Sequence, residues 1–231
     1  KISDYAKLVE DNTDISKIQE LAKCNSFLKK DKCILQPPGQ RIAVAKDNAF
    51  SFIYPHILED WKLQGSEVFF FSPLNNETPN KDADFVWIPG GYPELHLEKI
   101  AHADKTKKSL RKLASKVRIH GECGGYMALG SAIIDHKGKN HTMFGLLNLV
   151  TSFEKKKLHL GYRLAKLKNK NNKILNPKIL RGHEFHYSSI IEQKDDELYD
   201  VFDANNKKVS ETGSFNNKVS GTFFHFLSVG Q

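Results

Sequence analysis

The run Val117-Arg118-Ile119-His120-Gly121-Glu122-Cys123-Gly124-Gly125-Tyr126-Met127 constrains this chain more than any other. A short β-rich segment ends at His120, a Gly-x-Cys-Gly-Gly turn follows, and the helical stretch Tyr126-Met127-Ala128-Leu129 leaves it. This is the cysteine form of a nucleophile elbow. A sharp strand-to-helix turn strains the backbone, tolerates only small neighbours, and lifts the nucleophile above the sheet. The helix N-terminus sets backbone N–H groups and a positive dipole end beside the sulfur, which favours thiolate.

The surrounding sequence alternates in the same way. Arg41 to Ala45 reads as a buried strand, and Ile53 to Leu63 as a helix with Ile57, Leu58 and Trp61 on one side. Glu67 to Phe71 and Phe85 to Ile88 are further strands, followed by helices around 94–101 and 105–115. Strands alternating with helices predict a parallel sheet covered on both faces. From about Ala132 the pattern changes: Asp135-His136-Lys137-Gly138 is a turn, and extended segments follow near 141–152, 158–168, 183–192 and 218–227. From Leu158 to Leu164 even positions are apolar and odd ones polar or Gly, so this strand has one wet face. The fold class is α/β, a mostly parallel sheet flanked by helices with added antiparallel strands in the C-terminal half.

Residues 1–35 are helical by spacing, with Asp14 as N-cap of a second run. Gln36-Pro37-Pro38-Gly39-Gln40 suits neither helix nor central strand, so a boundary falls there and the main domain is 41–231. The chain has 231 residues, three cysteines and a formal charge of +8. Three cysteines cannot form a disulfide framework, so a reducing, cytoplasmic location is expected, with Cys24 and Cys33 as ordinary thiols. No apolar run approaches the ~20 residues of a membrane span. The lysines are scattered among acids without interleaved aromatics, so the charge reads as a solvated surface and not a nucleic-acid platform.

A thiolate acting on an acyl group needs an oxyanion site and a base. Trp87-Ile88-Pro89-Gly90-Gly91-Tyr92-Pro93-Glu94 ends a strand in a Gly-Gly turn, and C-terminal strand ends share one sheet edge. Gly90, Gly91 and the N–H of Gly124 are the natural donors. His225 follows a late β run that can return to this edge; His120, His183 and His186 compete with it. His183-Glu184-x-His186 lacks helical metal-ligand spacing, and no metal site is expected.

These motifs resemble the C-terminal glutamine amidotransferase domain of the cobyrinate and hydrogenobyrinate a,c-diamide synthase family. The likeness rests on Arg41–Asp47, Ala49–Pro55, Pro89–His96, the elbow, Leu149–Phe153, Leu158–Arg163, Arg181–Tyr187, Glu211–Ser214 and Val219–His225. It implies a class I amidotransferase-like, flavodoxin-like fold. Cys123 would attack the glutamine side-chain amide, His225 would serve as base, and Gly90, Gly91 and Gly124 would hold the oxyanion. The resemblance further implies that ammonia passes to acyl phosphates on the a and c carboxylates of cobyrinate in cobalamin biosynthesis. Tyr92, His159, Arg163, His183 and Glu184 are candidates to face substrate or a partner domain.

Many related amidotransferases carry Glu two residues after the histidine; His225-Phe226-Leu227 does not, which leaves the orienting group unassigned. A phosphate loop ending in Lys-Ser/Thr is also missing. ATP and Mg2+ are therefore expected in a synthetase domain outside this chain, residues 1–40 being the tail of that domain and its linker. Glutamine is the expected small-molecule partner, with cobyrinate and ATP reached through the synthetase half, and a homodimer is one assembly left open. The competing readings are an amidotransferase for another tetrapyrrole of the nickel-sirohydrochlorin type and a non-catalytic module that retains the fold.

Overall fold

The alternation in the sequence becomes layers in a computed structural model of the chain, which describes residues 2–22, 35–168 and 179–230. Two compact units are present, Lys1–Cys33 and Ile34–Gln231. The first contains α1 (Ile2–Asn12) and α2 (Ile15–Leu21). Asp14 caps α2 as expected, its side chain accepting from Lys17 N at 2.9 Å. Cys24 and Cys33 lie outside the described residues. In the second unit Leu35, expected at the end of the helical run, is not helical and is buried in the core, and Pro38 of the expected linker is buried as well.

The second unit begins with β1 (Arg41–Ala45), α3 (Pro55–Leu63), β2 (Glu67–Phe71), β3 (Phe85–Ile88), α4 (Leu97–Ala101) and α5 (Asp104–Ala114). Then come β4 (Arg118–Glu122), α6 (Gly124–Leu129), β5 (Ala132–Ile134), β6 (Asn140–Thr142), β7 (Leu149–Ser152) and β8 (His159–Leu167). The chain closes with β9 (Ile179–His186), β10 (Ser189–Gln193), β11 (Asp196–Glu197), β12 (Tyr199–Phe202), β13 (Ser214–Asn216), β14 (Val219–Thr222) and β15 (Phe224–Val229). Helix α3 starts two residues later than its periodicity suggests because Pro55 fixes its first turn. Among the described residues no helix is long and apolar enough to cross a membrane.

The main sheet has the order β11-β13-β14-β4-β3-β1-β2, parallel from β14 to β2 and antiparallel at its β11–β13–β14 edge. Alternate residues of each strand enter different cores. Ala43, Ala45, Val86 and Ile88 face α4–α6 and the sheet β10-β7-β5-β6, while Ile42, Val44, Phe85 and Trp87 face α3. The α3 side differs from a plain helical layer, since the antiparallel sheet β12-β8-β9-β15 shares it through Ala165, Leu180, Val201 and Phe226. Trp61 and Trp87 meet edge to face at 5.3 Å in this core. Each such large side chain contributes roughly 1.5–3 kcal/mol by burial.

Two expected segments change on folding. The extended stretch 218–227 is two strands in different sheets, because Glu211 Oε1 accepts from Phe223 N at 2.8 Å and from Thr222 Oγ1. That carboxylate replaces the ladder bond and lets β15 leave the main sheet. In β8 the period-two reading holds but its faces are inverted. Leu160 and Tyr162 are 62% and 75% exposed, whereas His159 and Arg163 turn inward to meet His186 and Glu184. Glu184 and His186 on β9 draw the polar face in.

Candidate functional site

Strand β4 runs two residues beyond His120, so Glu122 belongs to the sheet and Cys123 alone makes the corner. Its backbone sits at φ 46°, ψ −104°, a strained conformation for a residue with a side chain. Cys123 N donates to Thr222 O at 2.8 Å and Met127 N to Cys123 O at 3.0 Å, which clamps the corner on both sides. A methyl group at Gly125 would strike the carbonyl of Ile88, so only glycine lets α6 approach β3 this closely. The sulfur is buried and lies 3.6 Å from Phe185 O, to which the thiol donates.

Burial pushes the Cys123 thiol well above its ordinary range; the Gly124 N–H pulls the other way, and the charges of Glu94, Glu122 and Glu211 add to the rise. Desolvation therefore opposes the thiolate that the helix end favours.

Strand β15 carries His225, which is fully buried. Its ring packs on Gly90, where any side chain would collide with Cε1. It stacks on His183 at 4.8 Å and 8°, and Tyr54 meets it edge-on at 6.2 Å. Burial first, then the charges of His183 and His186, lowers its pKa to about 3, so the imidazole is neutral at physiological pH. Its Nδ1 lies 3.7 Å from Glu122 Oε2. Glu122 Oε1 accepts from Trp87 Nε1 at 3.1 Å, and burial raises this carboxyl well above the usual range.

The two glycine turns meet at the sheet edge. A methyl group on Gly124 would lie 2.8 Å from Pro93 Cδ and 2.9 Å from Gly91 O, so these backbones are already in contact. A cavity of about 190 Å3 opens here, lined by Cys123, Gly91, Glu94 and His186 and by an aromatic wall of Phe52, Tyr92, Phe153, Phe185 and Tyr187. Tyr92 is half-exposed at its rim, edge-on to Phe52 at 5.0 Å. His225 lies behind the lining, reached through Gly90 and through the residue that precedes Cys123.

The remaining expected residues divide between two faces of β9. His183 faces His225 and bonds Tyr54 Oη at 2.6 Å. Glu184, its neighbour, points the opposite way: it accepts from Arg163 Nε at 2.7 Å and pairs with His186 Nε2 at 2.9 Å, and these partners outweigh burial to lower its pKa. His159 stacks on His186 at 4.6 Å. His159, Glu184 and His186 bring three ligand-type atoms within 4.8 Å of one another, a different set from the His183-Glu184-x-His186 spacing weighed in the sequence. Arg163 already neutralises the carboxylate there. The cysteine, histidine and glycines thus assemble, with His183 beside them, while His159, Arg163 and Glu184 form a separate cluster joined through His186.

Sequence reasoning passed over Glu122 and Glu94. Both stood inside quoted motifs, but a strand taken to end at His120 leaves Glu122 in a turn, where burial beside His225 has no sign.

The CobB/CobQ-like glutamine amidotransferase domain family matches residues 41–230. Hydrogenobyrinate a,c-diamide synthase from Rhodobacter capsulatus is 52% identical over 192 residues, covering 83% of this chain and 44% of that protein. The enzyme of the same name from Mesorhizobium japonicum is 46% identical over 195 residues, covering 84% of this chain and 44% of that protein. The chain therefore spans less than half the length of these relatives. Among solved structures, a glutamine amidotransferase from Thermotoga maritima aligns at TM-score 0.54 with 15% identity, covering 80% of this chain and 75% of that one. Another glutamine amidotransferase aligns at 0.52 with 13% identity, over 80% and 89%. These two carry the fold alone. By the domain match and the identity to the curated relatives, this chain belongs to the CobB/CobQ-like glutamine amidotransferase family.

Proposed function

We propose that Cys123 hydrolyses glutamine and that the ammonia serves amidation of the a and c carboxylates of a cobyrinate-type corrinoid. The observation that carries the first part is a strained, buried cysteine whose corner touches Gly91 through Gly124, with a neutral histidine packed on Gly90. The thiol gives its proton to His225 as sulfur attacks the side-chain amide carbon. N–H groups of Gly90, Gly91 and Gly124 stabilise the oxyanion. The imidazolium then protonates departing ammonia, and water releases glutamate from the thioester. Glu122, 3.7 Å from the ring, compensates the positive charge that the ring acquires.

The names of the relatives favour hydrogenobyrinate as the acceptor over the nickel-sirohydrochlorin alternative. ATP and Mg2+ would act in a synthetase half, since no phosphate loop occurs in these 231 residues. Ammonia release from glutamine is the test: the chain should produce it and Cys123→Ala should lose it, whereas an active Cys123→Ala variant ends the proposal. A glutamine-analogue diazo-ketone should alkylate Cys123; absence of any adduct favours a non-catalytic module. Joined to the ATP-binding half of a relative, the chain should support diamide formation on hydrogenobyrinate, read by mass spectrometry.

A further inference from the structure

The cavity beside Cys123 contains an acid that only its own backbone N–H serves among the described residues, and burial raises it above the ordinary carboxylate range. Glu94 lies on a tight 3-10 turn, Pro93–Leu95, directly after the Gly-Gly turn, and its Oε2 is buried with no hydrogen-bond partner among the described residues. His186, also in the lining, is committed: Nδ1 donates to Ser188 O at 3.1 Å and Nε2 engages Glu184. The rest of the wall is glycine, methionine and aromatic rings, apart from Cys123 itself. A carboxylate facing an apolar cavity without a donor is costly unless a ligand supplies one.

The chemistry of the missing donor follows from the position. A glutamine whose carboxamide carbon lies at the Cys123 sulfur extends a short apolar chain away from it, ending in an ammonium and a carboxylate. A charged ammonium is the donor that a buried carboxylate binds most strongly. We propose that Glu94 selects the nitrogen donor by binding the α-ammonium of glutamine. This deepens, and rests on, the glutaminase reading above.

One consequence links recognition to chemistry. Burial is the main cause that raises the Cys123 thiol, and the charge of Glu94 adds to that rise. An arriving ammonium cancels that charge, so the correct substrate lowers the barrier to its own attack. An amide without an α-amino group leaves the thiol as it was.

Binding to the Cys123→Ala chain tests the assignment without needing turnover. Calorimetry with glutamine and with glutaramate, which is glutamine without its α-amino group, should give tighter binding of glutamine. Adding Glu94→Gln should weaken glutamine about 10- to 100-fold, the usual loss for a charged hydrogen bond, and leave glutaramate unchanged. Unchanged glutaramate binding also reports an intact fold. In the otherwise native chain, Glu94→Gln should move the pH profile of Cys123 alkylation by iodoacetamide to lower pH. If Glu94→Gln keeps the preference for glutamine over glutaramate while the native chain releases ammonia, the Glu94 assignment falls alone. If the native chain releases no ammonia and Cys123→Ala binds no glutamine, the glutaminase reading falls and takes this one with it.

Discussion

Glu122 has a position that its neighbours in the sequence do not advertise. It is the last residue of β4, fully buried, with one oxygen held by Trp87 and the other 3.7 Å from His225. Glu122→Gln preserves the shape and the Trp87 bond but removes the acid whose carboxylate charge would offset an imidazolium. We expect kcat for ammonia release to fall about 10- to 100-fold with KM for glutamine little changed, since a positioned acid acts on charge that develops in the reaction. Steady-state kinetics of the variant decide this; a change confined to KM contradicts the role. At this scale the reactive types were legible. Cys123 and the glycines declare themselves because the elbow tolerates so few residues. The partner of His225 did not, because contact between residues 122 and 225 depends on which strands become neighbours.

Among the elements, the decisive event is the passage of the chain from β14 to β15. Glu211 takes the Phe223 N–H and the Thr222 hydroxyl, which ends one ladder and starts another in a different sheet. Glu211→Ala leaves the buried amide of Phe223 unmatched, and the loss should be roughly 2–4 kcal/mol of stability. Glu211→Gln keeps an acceptor and should recover a large part of it. Chemical denaturation of both variants gives the comparison, and equal stability of all three proteins refutes the account. Periodicity located β1 to β4 and α3, because strands buried on both faces and an amphipathic helix leave strong patterns. It could not divide 218–227, since the signal is a carboxylate seven or more residues upstream. It also chose the wrong wet face for β8, where Glu184 and His186 outcompete Leu160 and Tyr162 for the interior.

For the molecule as a whole, buried ionisable groups set how the fold responds to acid. His120 and His225 both drop from the ordinary 6.5 to about 3 through burial. An unfolded chain binds protons there that the folded one refuses, so stability present above pH 6.5 is lost as pH falls toward 3. Glu122 is shifted upward, again by burial, and works in the opposite sense: its contribution is full below about 4.5 and lost as pH rises. The two trends oppose each other between pH 6.5 and 4.5. Below 4.5 the histidines act unopposed, at about 1.4 kcal/mol per pH unit each. Two histidines outweigh one carboxyl, so urea midpoints should fall gently below pH 6.5 and more steeply below 4.5, and Glu122→Gln should bring the steep part up toward 6.5. A profile that rises below 4.5 contradicts this balance. The pairing of Ser220 with His120 across the main sheet spans 100 residues. Long-range pairing of this kind is slow to form. During synthesis, β4 therefore waits for a neighbour made about 100 residues later, and the cysteine corner cannot acquire its histidine before then. A chain stopped short of β15 carries the thiol without the histidine packed beside its corner.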